Sequence, residues 1–217
     1  MAYEETTYIS REIWPSLLVI VILAILVHYF FGALLALPLW VLLLLLLYGF
    51  RDPNRRVPSQ PLAIVSPVDG NIVAIETMPN PYIDGDSIRI RMQMHRTGSY
   101  RIRSPVEGKV MQRWFLLPGD PLPLLQGAIG KLQISNWIQT DEGEDIVISM
   151  RRDIKWFAPQ CNIQTGERIG QGQRCGIIPF GSHIDLYIPV NSVVNQETGA
   201  RMQAGSDVIA YLRHQQV

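Results

Sequence analysis

The feature that most constrains how this chain folds is its longest uncharged stretch. Residues 13–50, a run of 38, contain no Asp, Glu, Lys or Arg. One helix needs about 20 apolar residues to cross a bilayer, so the run is too long for one untilted helix and slightly short for two. Gly32 and Pro38 interrupt it and predict a first helix near 13–35 and a second near 38–50. We therefore expect a transmembrane anchor of one or two helices behind a cytoplasmic N-terminus at 1–12.

A cleaved signal peptide is the alternative interpretation of this run. It does not match, because a signal has an apolar region of about 7–15 residues behind a basic segment. Arg51, Arg55 and Arg56 follow the run directly. Positive flanks favour the cytoplasmic side of a membrane, although a simple stop-transfer flank has the same composition. We expect both termini in the cytoplasm and the protein in the cell (inner) membrane, with its remaining domain facing the cytoplasm.

Charge and cysteine content exclude several classes of protein. Lys and Arg total 19, Asp and Glu total 19, and the formal net charge is zero, so no basic excess indicates a nucleic-acid partner. Cys161 and Cys175 form no Cys-x-x-Cys motif, and there are only 4 histidines. A disulfide framework and a metal site are therefore not expected. The two cysteines are predicted to be reduced thiols of the core, as is usual in the cytoplasm.

Residues 51–217 are predicted to form one mainly β domain. Apolar and polar residues alternate over 87–94, which is typical of a half-buried strand. Short apolar runs follow at 146–148, 177–178 and 184–188, with Gly and Pro between them about every ten residues. Only 114–117 and 207–213 suggest anything else, and weakly. The expected fold is a barrel-sandwich-like β domain behind the helical hairpin.

A short motif is repeated inside this domain. The sequence Ser-Pro-Val-Asp-Gly at 66–70 recurs 38 residues later as Ser-Pro-Val-Glu-Gly at 104–108. In each copy the proline fixes φ and the acid–glycine pair turns the chain between strands. Such hairpins resemble those of lipoyl and biotinyl carrier domains, but the lysine attachment turn of those domains is absent. Glu107 is interpreted as a structural turn residue only.

Three motifs occur in a fixed order behind the apolar run. They are Phe-Arg-Asp-Pro at 50–53, Ser-Pro-Val-Asp-Gly at 66–70, and Phe-Gly-Ser-His-Ile-Asp-Leu-Tyr-Ile-Pro at 180–189. Together they resemble the phosphatidylserine decarboxylase family in its short, membrane-anchored form. The resemblance extends from about residue 49 to 190 and is weakest over 112–165.

The resemblance implies a self-processing enzyme that carries a pyruvoyl group. In this family the hydroxyl of the serine, here Ser182, attacks the carbonyl of Gly181, and the resulting ester eliminates to leave Ser182 as an N-terminal pyruvoyl group. Glycine suits this bond because it has no side chain to block the strained approach. The family assigns assistance in cleavage to the acid of the second motif, here Asp69. Asp69 and Ser182 are thus candidate catalytic residues.

The reaction implied is decarboxylation of phosphatidylserine to phosphatidylethanolamine. The ketone condenses with the lipid amine and withdraws electrons as carbon dioxide leaves. The resemblance thus implies pyruvate, made from Ser182, as the cofactor, without a metal. It also implies a phospholipid substrate, a membrane partner and two chains from one precursor, and it leaves the oligomeric state open.

One position departs from the family where a proton is handled. Five residues before the second hairpin's proline the family has histidine, and this chain has Tyr100. The preceding acid is replaced by Gly98, whereas the arginine is matched at Arg103. Free tyrosine has a pKa near 10, against about 6.5 for histidine. Tyrosine can still donate a proton as a general acid, so Tyr100 is the predicted catalytic donor.

Two histidines are weaker candidates for that role. His95 could replace the missing histidine only if the 95–100 loop folds back. His183 stands where the family usually has arginine, and in a regular strand it points to the opposite face from Ser182. For both residues a surface or strand role is the preferred interpretation.

Two other functions stay open beside phosphatidylserine decarboxylation. One is a divergent decarboxylase of a related amino-acid-bearing lipid, suggested by the changes at 100 and 183. The other is a non-catalytic, membrane-tethered domain that binds lipid or a partner. An uncleaved Gly181–Ser182 bond favours the binding domain, whereas cleavage without an ethanolamine lipid product favours the divergent enzyme.

Overall fold

A computed structural model describes residues 14–49, 51, 53–95, 98–116, 133–151, 159–161, 163–178 and 183–213. The chain divides into two compact units, Met1–Asn54 and Arg55–Val217. The first contains helices α1 (Trp14–Phe31) and α2 (Ala33–Gly49). The predicted cytoplasmic segment 1–12 lies outside the described residues.

The two helices meet at Gly32 rather than near Pro38. Gly32 has φ of 87°, in the left-handed region that favours glycine, and its N–H donates to the carbonyl of His28 at 3.1 Å. The first helix therefore ends before the predicted residue 35. Pro38 lies inside α2, where it removes one backbone hydrogen bond without ending the helix.

The predicted transmembrane hairpin is not found. Helices α1 and α2 contain 18 and 17 residues. At 1.5 Å per residue they extend about 27 and 26 Å, less than the roughly 30 Å of a bilayer's hydrocarbon core. Within residues 14–49 and the rest of the described chain, no helix has the length and apolar character needed to cross a membrane.

The second unit is built from strands, as the alternation predicts. Its described residues form, in chain order, β1 (Ala63–Val65), β2 (Gly70–Pro79), β3 (Asp86–Met94), β4 (Arg101–Arg103), β5 (Gly108–Leu116), β6 (Gln133–Gln139), β7 (Asp145–Arg151), β8 (Gln160–Cys161), β9 (Arg168–Ile169), β10 (Arg174–Ile177), β11 (His183–Pro189), β12 (Val193–Val194), β13 (Arg201–Met202) and β14 (Val208–Tyr211). The two segments whose sequence showed no clear strand pattern, 114–117 and 207–213, are mostly strand: residues 114–116 belong to β5 and residues 208–211 to β14.

These strands form three antiparallel sheets. Eight strands make the largest, in the spatial order β13, β2, β3, β11, β7, β6, β5, β9. The smaller sheets have the orders β1, β14, β12 and β4, β10, β8. All three contribute to one core, for example through Ile64 of β1, Ile102 of β4 and Ile184 of β11. A mainly β, sandwich-like domain is therefore confirmed.

Of the two cysteines predicted to be core thiols, Cys175 belongs to this core and Cys161 packs against it. Cys161 and Cys175 are free thiols, and Cys175 is buried whereas Cys161 is half-buried. Burial raises the pKa of the Cys175 thiol well above its ordinary value, which keeps it protonated and unreactive. Cys175 is therefore a packing residue of the core.

The two Ser-Pro-Val-acid-Gly copies form equivalent turns that face each other. The N–H of Val65 donates to the carbonyl of Pro105, and the N–H of Arg103 donates to the carbonyl of Pro67, each at 2.9 Å. In each copy the serine hydroxyl also donates to the carbonyl two residues on, at 2.7 Å. The internal repeat is thus also a structural repeat, in which the proline of each copy accepts a backbone hydrogen bond from the residue before the other copy.

The glycines that end the two motifs are required by close strand approach. A Cβ at Gly70 would lie 2.2 Å from the carbonyl oxygen of Gln93, and one at Gly108 would lie 2.3 Å from that of Gln139. Real Cβ atoms do not come this close to backbone, so only glycine fits. The motif therefore combines a turn with the start of a tightly paired strand.

Candidate active site around Asp69

Four hydrogen bonds converge on the carboxylate of Asp69. The guanidinium of Arg55 donates to both oxygens, from Nη1 to Oδ1 at 2.6 Å and from Nη2 to Oδ2 at 2.7 Å. The N–H of Ala204 donates to Oδ1 at 2.8 Å, and the N–H of Ser99 donates to Oδ2 at 3.1 Å. A carboxylate has about four lone-pair directions, so all are used.

The donors come from three distant parts of the chain. Arg55 precedes β1, Ser99 precedes β4, and Ala204 lies in the turn between β13 and β14, whereas the acceptor Asp69 lies in the turn between β1 and β2. Asp69 is 7% exposed, so the charge is largely removed from water and is compensated by the arginine and the two amides. The carboxylate therefore ties three loops together at one point.

The chain after β3 folds back over Asp69. The N–H of His95 donates to the carbonyl of Asp69 at 2.9 Å, and the N–H of Gly98 donates to the carbonyl of His95 at 3.2 Å. The backbone of His95 therefore lies next to Asp69. The Nε2 of His95 lies 2.8 Å from Oδ1 of Asn71, so the imidazole is held by an amide beside the site.

Gly98 allows this close approach. A Cβ at Gly98 would lie 2.9 Å from the Cβ of Asp69 and 3.4 Å from that of His95. The family's acid at this position would crowd Asp69 and add a second negative charge beside it. The loop can therefore pack this closely against Asp69 only because residue 98 is glycine.

Tyr100 follows directly on the segment held by Asp69. The residue is 7% exposed, and burial raises the pKa of its phenol, so the hydroxyl stays protonated at neutral pH. Its carbonyl accepts a hydrogen bond from the N–H of Ile178 at 2.9 Å, next to the Arg101–Ile177 pair of β4 and β10. Tyr100 therefore lies beside the end of the strand that leads toward residue 181.

His183 begins the strand on the other side of the predicted cleavage bond. It pairs with Gln93 of β3 and Arg151 of β7, and Gln93 in turn pairs with Asn71. Since Ile184 faces the core, the alternation of β11 directs His183 to the other face of the sheet. Gly181 and Ser182 lie outside the described residues.

Of the sequence-predicted site residues, the structure brings Asp69 and the segment carrying Tyr100 together. It also adds Arg55, which the sequence suggested only as part of a positive membrane flank. Nothing in the sequence separates Arg55 from Arg51 and Arg56. The sequence offered only a general indication that Asp69 has a basic partner, because a buried carboxylate needs a counter-charge or hydrogen-bond donors. Across the described ranges, no three His, Cys, Asp or Glu side chains converge to hold a metal ion.

Comparison with known proteins gives one family. The model of the family described as phosphatidylserine decarboxylase matches residues 42–210. The chain is 34% identical over 217 residues to a phosphatidylserine decarboxylase proenzyme of Nitrosomonas eutropha, covering 98% of this chain and 99% of the relative. It is 34% identical over 207 residues to a protein of the same name from Nitrosomonas europaea, covering 93% and 94%.

A Burkholderia mallei relative of that name is 35% identical over 212 residues, covering 95% of this chain and 96% of the relative. No solved structure matches the chain. The residues matched by the family model include Arg55, Asp69 and Tyr100. The chain belongs to the phosphatidylserine decarboxylase family, a family of carboxy-lyases.

Proposed function

We propose that this protein decarboxylates phosphatidylserine to phosphatidylethanolamine after cleaving itself between Gly181 and Ser182. The observation that carries the proposal is the four-donor site of Asp69, which joins the second family motif to the segment of Tyr100. The relatives' name, proenzyme, agrees with a precursor that is processed. Tyr100 is buried, and its carbonyl accepts the N–H of Ile178, three residues before Gly181 in the sequence, which supports a role near the cleavage bond.

In the precursor, the Ser182 hydroxyl is the attacking nucleophile and the Gly181 carbonyl is its target. The resulting ester then breaks by elimination, which leaves residues 1–181 as one chain ending in a carboxylate and 182–217 as the other, beginning with a dehydroalanine. Water then hydrolyses the imine tautomer of this residue, and ammonia leaves as the ketone forms. The pyruvoyl group so formed supplies an electron sink for decarboxylation. Tyr100 gives its proton to the carbon that loses carbon dioxide.

Intact mass measurement of the purified full-length protein tests the proposal. We expect fragments 1–181 and 182–217 in place of the 24.6 kDa chain, and reaction of the shorter fragment with hydroxylamine. The Ser182→Ala variant should stay whole and inactive, because the nucleophile is gone. An uncleaved wild-type chain that still decarboxylates the lipid would rule out the pyruvoyl mechanism. An uncleaved and inactive chain would favour the lipid- or partner-binding domain.

The second candidate function is decarboxylation of a related lipid that carries a different amino acid. The residues at 100 and 183 favour it. Tyr100 and His183 replace a histidine and an arginine of the family pattern. The same assay distinguishes the two enzymes if vesicles containing phosphatidylserine are compared with vesicles whose lipid carries another amino acid. Cleaved protein that converts only the second lipid would support the divergent enzyme.

For localisation we infer a position at the cell membrane, with the β unit in the cytoplasm. The substrate is a membrane lipid, and many large apolar side chains of α1 and α2 are exposed, among them Phe30, Leu34 and Leu44. Protease added outside sealed cells should leave residues 55–217 intact. Degradation of that unit would contradict the assignment.

A further inference from the structure

The contact between Arg55 and Asp69 differs from an ordinary surface ion pair. Both partners are mostly shielded, with side chains 15% and 10% exposed, and the contact is bidentate. Such pairs are stronger and more directional than exposed pairs, which contribute little. Arg55 therefore fixes the orientation of the carboxylate as well as its charge.

The filled carboxylate is poorly arranged to act as a base. Taking a proton would require one of its four donors to leave, because each oxygen already accepts two hydrogen bonds. It is well arranged to hold other groups in place. The site therefore indicates that Asp69 contributes to processing by holding the chain around it.

A short series of contacts connects this carboxylate to the cleavage segment. Asp69 accepts the N–H of Ser99, the next residue is Tyr100, and the carbonyl of Tyr100 accepts the N–H of Ile178. Ile178 lies three residues before Gly181 in the sequence. Losing the orientation of the carboxylate would thus disturb the segment that ends at the scissile bond.

We propose that Arg55 is a positioning residue for self-cleavage: its guanidinium orients the Asp69 carboxylate, which holds Ser99 and Tyr100 in place against Ile178. This role rests on the proposed self-cleavage at Gly181–Ser182. It predicts that Arg55 acts entirely through Asp69. Removing Arg55 should therefore matter only while Asp69 is present to be oriented.

The internal repeat supplies a matched control. Glu107 is the acid of the repeat copy at 104–108, equivalent to Asp69 in the copy at 66–70. Arg168 lies 3.6 Å from Glu107, but the side chains of Arg168 and Glu107 are 61% and 63% exposed. Arg168→Ala removes an arginine beside the equivalent acid without touching the Asp69 site. Any effect specific to Arg55 should be absent from this variant.

The experiment follows cleavage of the full-length chain during cell-free translation, which starts from unprocessed protein. Arg55→Ala should slow the appearance of fragment 182–217 by about 10²-fold, the typical effect of a misplaced reacting group. Arg55→Lys should be intermediate, because lysine keeps the charge but not the bidentate fork. Arg168→Ala should match wild type. Added guanidinium ion should restore part of the rate in Arg55→Ala and none in Asp69→Asn.

The double variant Arg55→Ala/Asp69→Asn gives the decisive comparison. If Arg55 acts through Asp69, the double variant is as slow as Asp69→Asn alone, whereas independent effects multiply. Multiplied effects, or wild-type cleavage in Arg55→Ala, would overturn the role of Arg55. If circular dichroism shows that Arg55→Ala is unfolded, Arg55→Lys decides, and a wild-type rate there overturns the role. A wild-type chain that never cleaves instead refutes the proposed function itself.

Discussion

Asp69 and Glu107 occupy equivalent positions in two copies of one motif, yet only Asp69 is enclosed. The Asp69 side chain is 10% exposed and accepts both arms of Arg55, whereas that of Glu107 is 63% exposed, with Arg168 3.6 Å away. The two turns have equivalent hydrogen bonds, so the difference in exposure between the two acids arises outside the motif. Arg55 and the 98–100 segment cover one copy and not the other.

This asymmetry predicts different stability effects at the two acids. Asp69→Asn removes the charge-assisted pair and leaves Arg55 partly buried without its counter-ion, so the free energy of unfolding should fall by about 1.5–3 kcal/mol. Glu107→Gln, the matched control, should leave the denaturation midpoint nearly unchanged, because exposed pairs contribute little. Urea unfolding of both variants checks this. Equal losses would show that the enclosure of Asp69 does not stabilise the fold.

Tyr100→Phe should separate processing from turnover. The variant keeps the buried ring and the backbone bond to Ile178, so self-cleavage should proceed largely as in wild type. Decarboxylation of phosphatidylserine should fall about 10²–10⁴-fold, the usual effect of losing one general acid. The measurement is fragment yield alongside carbon dioxide release. Unchanged release would exclude Tyr100 as the donor and direct attention to His95.

Gly98→Ala should disturb the site from its opposite side. The added Cβ would lie 2.9 Å from that of Asp69, and overpacking of this kind typically costs about 1–3 kcal/mol. We expect lower thermal stability and slower self-cleavage. Gly170→Ala is the control, since its nearest neighbour would be a Gln173 side-chain oxygen at 3.5 Å. Wild-type behaviour of Gly98→Ala would mean that the loop adjusts freely.

Two tyrosines in ring contact should respond differently to loss of their hydroxyls. Among the described residues, the hydroxyl of half-buried Tyr82 lies 3.0 Å from Oγ of Ser149, whereas that of fully buried Tyr187 faces the Arg89 side chain without a hydrogen bond of good geometry. Tyr82→Phe should lower the free energy of unfolding by about 0.5–1.5 kcal/mol, and Tyr187→Phe should change it by less. Both variants keep the edge-to-face ring contact between the two residues. An equal or larger loss in Tyr187→Phe would contradict the assignment.

Stability should decline in alkaline solution. Burial raises the pKa values of Tyr82, Tyr100 and Tyr187 above the value near 10 of an unfolded chain. The unfolded chain therefore loses these protons first, so the stabilisation is complete below pH 10 and is lost as pH rises above it. Denaturant midpoints between pH 8 and 11 measure this. The decline should be smaller in Tyr82→Phe/Tyr187→Phe, and an equal decline would place its source elsewhere.

The strands and turns could be predicted from the sequence because their causes are local. Alternating burial over 87–94 follows from neighbouring residues on a half-buried pleated strand, and the short run 184–188 is a strand buried throughout. The repeated motif predicted two equivalent turns, and its glycines mark close strand approach. The three ordered motifs were enough to indicate the family, and the second of them singled out Asp69 as its acid.

The partners of Asp69 were decided only by tertiary structure. Arg55 belongs to a run of arginines whose members look alike in sequence, and only the fold brings this one to the turn at Asp69. The return of His95 and Ser99 to the same acid depends on hydrogen bonds between loops, which no local pattern encodes. The helix ends were also misplaced, because Gly32 closes α1 while Pro38 is accommodated inside α2. The sequence by itself determined which acid matters, and the packing of three loops determined what holds it.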